Sequence, residues 1–203
     1  TSPSISKDTN IKYVLPLFNK NLYGKTTEKR KTFQDQKTFV SCGSIKISEK
    51  DSESLFNSLN QLKEYKKTIN IIGKSPKHII NDFSHEINYY KKRISCSKLK
   101  EIMLKSHFVL FLLNNDLSYR YKFNSSSGSL ALALNFNIIP IIEESFAQFY
   151  CINKTNAITY KKGELSKAIQ YACDMKHEEY IKLQSSLSSL KSKLEQGSLN
   201  NLK

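Results

Sequence analysis

The sequence predicts an α/β fold with a largely parallel sheet, on two observations. Short apolar stretches of strand length alternate along the chain with stretches of helical period. The strand-like stretches are also continuously apolar rather than alternating, as a sheet covered on both faces demands.

The elements follow in order. Residues 1–36 read as an N-terminal arm. Its first ten residues are polar, Ile11 to Phe18 is an extended apolar piece whose Pro16 suits an edge, and the remainder is basic without apolar period. Lys37 to Cys42 is a strand by β-propensity, ended by Gly43. Asp51 to Tyr65 carries Leu55, Leu59 and Leu62 at helical spacing. Thr68 to Ile72 is a second strand, ended by Gly73 and Lys74, and Lys77 to Phe83 a short helix. Glu86 to Tyr90 is a third, weaker strand, and Ser97 to Ser106 a helix. His107 to Leu113 (HFVLFLL) is the strongest buried-strand run. A turn of small residues, Ser125 to Ser129, then opens an apolar helix through Leu134 that breaks at Asn135-Phe136-Asn137, and Ile138 to Ile142 is a strand. Glu144 to Tyr150, Ala157 to Tyr160, Gly163 to Met175 and Glu178 to about Leu194 give a short helix, a brief strand and two closing helices. Residues 37–195 thus form one Rossmann-like, doubly wound domain, and 196–203 a frayed tail.

Composition narrows the function. At 203 residues, 39% hydrophobic and 25% charged, the chain supports one good core. No apolar run approaches membrane-span length and no signal-peptide pattern opens the chain. Cys42, Cys96, Cys151 and Cys173 are widely spaced, without metal-ligand spacing to one another or to histidine, and read as reduced thiols of a cytoplasmic protein. The net charge of +14 suits nucleic acid, an anionic surface or phosphate-bearing ligands, but the lysines are scattered and no RNA-binding aromatic signature appears. A G-x-G-x-x-G after the first strand is lacking, which disfavours a dinucleotide-binding protein.

In a doubly wound sheet, ligands bind outside the carboxyl ends of the strands. Gly43-Ser44, Gly73-Lys74 and the loop from Leu113 to Ser129 all fall at such ends. Ser127, Gly128 and Ser129 would open a helix whose N-terminal N–H groups and positive dipole end suit an anion. A plain helix cap explains the same residues. His107 reads as a structural histidine, and His85 has no evident catalytic partner. Of Tyr89 and Tyr90 after the third strand, one packed and one exposed is the plainer reading. Asn114, Asn115 and Asp116 suit sugar hydroxyls or an ordinary turn.

These pieces together resemble the C-terminal, donor-binding domain of GT-B glycosyltransferases over roughly Thr38 to Leu194. FVSCGSI followed by EKD is similar to that family's first strand, glycine turn and downstream lysine. NIIGK resembles its second strand, KLKEIMLKSHFVLFLL the helix and strand before its phosphate-binding loop, and SGSLALALNFNIIPII its helix and following strand. The resemblance implies a nucleotide-diphosphate sugar as donor, its diphosphate at Ser127, Gly128 and Ser129 with Lys50 as the basic partner. Gly43, Ser44, Gly73, Lys74 and Tyr90 would line the same crevice, and Asp116, Tyr119, Tyr121 and Lys122 would approach the sugar. Developing negative charge on the diphosphate would be met by preorganised N–H donors and lysine, so no metal or other cofactor is expected.

Two departures bear on recognition. Ser44 stands where the family has arginine, and no glutamate lies between Ser125 and Leu134. The resemblance also implies a second, N-terminal GT-B half, in the same chain or separate, that supplies acceptor and catalytic groups, so that this domain alone is inactive or weak. The acceptor, the base and the sugar stay unknown, nucleic acid is a poor fit, and peripheral membrane contact stays open. The alternative is a non-enzymatic basic Rossmann-like module that binds nucleic acid or an anionic surface.

Overall fold

The computed structural model describes residues 33, 36–43, 45, 52–75, 77–83, 86–113 and 128–202. Among the described residues, six strands form one sheet: β1 (Lys37–Cys42), β2 (Lys67–Ile72), β3 (Ile87–Tyr90), β4 (Phe108–Leu110), β5 (Ile139–Glu143) and β6 (Ile158–Tyr160). Their order is β3-β2-β1-β4-β5-β6, and every pairing is parallel. The helices among the described residues are α1 (Ser52–Gln61), α2 (Lys77–Asp82), α3 (Cys96–Lys105), α4 (Gly128–Phe136), α5 (Glu144–Ala147), α6 (Leu165–Asp174) and α7 (His177–Leu202). The doubly wound, Rossmann-like α/β fold expected from the sequence is the fold observed.

The strand composition explains the layering. Along β4 and the three residues after it, Phe108, Leu110 and Leu112 enter one core, while Val109, Phe111 and Leu113 enter the other. In β5, Ile139 and Ile141 likewise part from Ile142. A strand with side chains alternating into two cores must be apolar at every position. The first core holds α1, Phe83 after α2, α6 and the start of α7, and the second holds α3, α4, α5 and the later turns of α7. From β1 to β3 the sheet grows one way. From β4 it grows the other way, and the right-handed crossover then places the helices on opposite faces.

Several boundaries differ from expectation, each for a local reason. The helix expected to break at Asn135 runs through Phe136, because Asn137 closes it in the left-handed region at φ 49°. Asn137 N donates to Leu134 O at 3.3 Å and Ile138 N to Ala133 O at 2.9 Å, a Schellman closure that asparagine tolerates. The β4 ladder is shorter than His107 to Leu113, although Phe111 N still donates to Ile141 O at 2.9 Å. The segment from Glu144 to Tyr150 divides into α5 and a 3-10 turn, Gln148–Tyr150. Helix α7 continues through Leu202 rather than fraying after Leu194. Leu187, Leu190 and Leu194 seat it on the second core, and Gly197 is tolerated inside it.

Pro140 sits inside β5, where a proline would ordinarily interrupt a ladder. Ile139 N donates toward β4, to His107 O at 3.3 Å, so position 140 faces the β6 side. Pairing with β6 begins only at Ile141, opposite Ile158, so the absent N–H breaks no ladder bond.

The amino ends of the strands are held by side chains. His107, 1% exposed, accepts from Thr38 N at Nδ1 over 3.0 Å, which ties β4 to β1 and bears out its structural reading. Phe33 stacks on Tyr180 with ring centroids 4.3 Å apart, and Lys37 Nζ lies 3.5 Å from the Phe33 ring centroid. Lys67 forms an ion pair with Glu86 at 2.8 Å and donates to Leu62 O at 2.6 Å, its side chain fully enclosed. Removing one member of a buried pair strands the other charge. We therefore expect Glu86→Ala to destabilise the fold by about 3 kcal/mol or more, measured as a fall in the urea midpoint. Lys67→Met combined with Glu86→Leu should recover much of that loss.

Candidate functional site at the carboxyl ends of the strands

The strand order reverses between β1 and β4, and the crevice of such a sheet opens at their carboxyl ends. Two glycines shape its floor. Gly43, at φ 87°, donates its N–H to Ile72 O at 2.9 Å. Gly73, at φ 130°, donates to Tyr90 O at 3.0 Å. Each carries the ladder one residue past its strand and then turns through a conformation that disfavours a side chain. Ile45 N closes onto Lys74 O at 2.6 Å, so the loops after β1 and β2 are joined. Ser75 N donates to the Tyr89 hydroxyl at 3.2 Å, which fastens the second loop to β3.

Helix α4 begins at the same edge. Ser129 Oγ donates to Cys42 O, the last carbonyl of β1, at 3.2 Å. The hydroxyl thus serves as a tether that fixes where the helix begins. The N–H groups of Gly128, Ser129 and Leu130 belong to a first turn, whose donors have no partner within the helix. Among the described residues, a Cβ built at Gly128 meets no atom within 4 Å, so nothing described crowds this position. The body of α4 is apolar all round, with Leu130 to Leu134 buried among α3, α7, β1 and β5. That burial holds the first turn rigidly beside β1.

Of the site residues expected from sequence, Gly43, Gly73, Lys74, Tyr90, Gly128 and Ser129 all fall at or beside these strand ends. Lys74 is exposed. Tyr89 and Tyr90 are both half-buried, on opposite cores, rather than one packed and one exposed. Ser44, Lys50, Asp116, Tyr121, Lys122 and Ser127 lie outside the described residues, as do His85, Asn114, Asn115 and Tyr119. The sequence reading missed the Cys42 carbonyl, since a backbone acceptor leaves no trace in residue type. It also passed over Asn70 and Asn88, although asparagines inside TINII and INYY were a visible signal.

The solved structures similar to this chain include the C-terminal domain of a glycosyl transferase group 1 family protein, LpcC, from Francisella tularensis. That match has TM-score 0.59 at 12% identity and covers 92% of this chain and 96% of that one. The fold is that of a GT-B C-terminal domain. An α,α-trehalose 6-phosphate synthase from Burkholderia multivorans matches at TM-score 0.59 and 11% identity, covering 82% of this chain and 40% of that one. The catalytic domain of starch synthase IV from Arabidopsis thaliana, bound to ADP and acarbose, matches at TM-score 0.55 and 14% identity, covering 86% of this chain and 40% of that one. The chain thus spans about two fifths of these two longer chains and nearly all of the LpcC C-terminal domain. No family model and no curated protein matches the chain. No described helix is long and apolar enough to cross a membrane.

The glycine turns are testable directly. Gly43→Ala forces a side chain into φ 87°. Such strain costs about 1–3 kcal/mol, so thermal unfolding of this variant should begin several degrees lower than that of the parent.

Proposed function

We propose that this chain is the donor-binding half of a glycosyltransferase that uses a nucleotide-diphosphate sugar. The observation that carries the reading is the first turn of α4, uncrowded at Gly128 among the described residues and tethered by Ser129 to the end of β1 at the switch point of a GT-B fold. A diphosphate seated there would receive backbone N–H groups and the positive end of the helix dipole. Those donors are fixed before the ligand arrives, because the apolar body of α4 is buried and its start is hydrogen-bonded to the sheet. Negative charge that grows on the diphosphate as the sugar–phosphate bond breaks would thus meet dipoles already in place. Gly43 and Gly73 turn the chain at the ends of β1 and β2, and a nucleoside would lie across these ends with Lys74 at its side. Lys50 and the residues Asp116 to Lys122 complete the reading from sequence as phosphate and sugar contacts. Acceptor and catalytic groups would come from an N-terminal half, in keeping with the share of the longer enzymes that this chain spans. The domain alone should then bind donor and turn it over poorly.

Thermal unfolding with UDP, GDP, ADP and CDP tests this. A ligand at about 100 times its dissociation constant adds about 2.7 kcal/mol, a rise of about 5–10 °C for a chain of this size. One base should give that rise at moderate salt. Gly128→Trp should remove it while leaving the unliganded melting temperature close to that of the parent, since nothing described crowds position 128. No rise with any nucleotide, together with salt-sensitive binding to DNA or RNA, would overturn the reading in favour of a basic binding module.

A further inference from the structure

The face of β2 and β3 turned toward α3 carries Thr68, Asn70 and Asn88, where the opposite face carries Ile69, Ile71 and Ile87. Asn70 and Asn88 stand in register on these strands, and Asn88 Nδ2 donates to Asn70 Oδ1 at 3.3 Å. Asn70 is only 5% exposed, and its own Nδ2 donates to Phe39 O at 3.4 Å. Gln36 Nε2 donates to Thr68 Oγ1 at 3.0 Å on the same side. Isoleucine or valine at positions 70 and 88 would extend the second core and let α3 close down on β2, as its Ile102 and Met103 already do over the core. An amide buried in a sheet costs free energy unless its bonding capacity is met. Instead, a cavity of about 230 Å³ separates α3 from this part of the sheet. Gln36, Asn70, Asn88 and Tyr90 line it from the sheet side, and Lys98 and Glu101 line it from α3.

We propose that this cavity binds a hydroxyl-rich ligand of monosaccharide size, a single sugar ring, at a site separate from the crevice beside α4. A sugar hydroxyl both donates and accepts, and so does a primary amide held in one plane. Asn88 keeps a carboxamide oxygen and one N–H beyond its bond to Asn70. Tyr90 adds a ring face and a hydroxyl. Glu101 is held by Lys105 at 2.7 Å and Lys98 at 2.9 Å. The hydrogen bonds from Lys105 and then Lys98 bring its carboxyl down to about 2, so it stays an acceptor across the whole physiological range. Lys105 also lines the α3 side, so this wall carries two ammonium groups and one carboxylate bonded to one another, and inorganic phosphate is the control for an anionic ligand. The volume lies below that of drug-sized pockets, which start at about 300 Å³, and suits one ring. This site does not depend on the donor-binding reading, since it lies under α3 and uses none of the N–H groups of α4.

The test is a ¹H–¹⁵N correlation spectrum of the full chain titrated with glucose, galactose, mannose and N-acetylglucosamine, with glycerol and inorganic phosphate as controls. Side-chain amide signals of Asn70 and Asn88 report on the cavity, and backbone signals of Gly128 and Ser129 report on the crevice. At least one sugar should shift the asparagine signals saturably and leave Gly128 and Ser129 unmoved. Asn88→Ala, on an exposed edge-strand position, and Glu101→Gln should each weaken that binding about tenfold with the rest of the spectrum unchanged. Non-saturating shifts with all four sugars, equal shifts with glycerol, or saturable shifts confined to Gly128 and Ser129 would overturn the proposal. A nucleoside diphosphate added to the same sample reads the crevice independently, so failure of one site is distinguishable from failure of the other.

Discussion

Burial of one sheet on both faces is the constraint from which the other features follow. It fills Phe108 to Leu113 and Ile138 to Ile142 with apolar residues on both faces, and it requires a helical layer on each side. Parallel strands with right-handed crossovers can populate both layers only if the direction of growth reverses once. That reversal falls between β1 and β4, and it leaves a gap between the loops on the carboxyl side. The site is therefore where the topology leaves room, and α4 is the element that fills its flank.

The two ends of the sheet are built from different materials. At the amino ends, bulky side chains do the joining: His107 between β4 and β1, Phe33 against Tyr180, and Lys67 with Glu86. At the carboxyl ends, backbone groups do it, through Gly43, Gly73 and the Cys42 carbonyl. The first arrangement ties the strands to one another through buried side chains. Among the described residues, the second leaves the first turn of α4 without partners inside the helix. A ligand can be admitted at the second end without loosening the fold, because the first end already fixes the strands.

How much of this the sequence disclosed follows from the same physics. The strands and the helices near them were legible because burial writes itself into residue type, as in HFVLFLL and NIIPII. The glycines after β1 and β2 were legible because a left-handed turn selects for them. The end of α4 was misplaced by two residues, because Asn135 looks like a breaker while Asn137 carries the closing geometry. The continuation of α7 past Gly197 was hidden, because glycine permits a helix end without requiring one. The tether from Ser129 was unreadable, since its partner is a carbonyl that every residue possesses. The polar patch on β2 and β3 was written in the sequence as two asparagines, but only the register that aligns them gives them a common meaning.

Pro140 has a further effect on how the sheet grows. A parallel edge strand can slide by two residues and still present the same side chains to the same face, so apolar burial alone does not fix β6. A slide of β6 toward the amino end of β5 would need a donor from position 140, and proline has none. Pro140 therefore acts as a register stop, set in the neighbouring strand. By holding β6 opposite Ile141, Ile142 and Glu143, it also fixes the point from which the chain departs into α6, α7 and the closing of both cores.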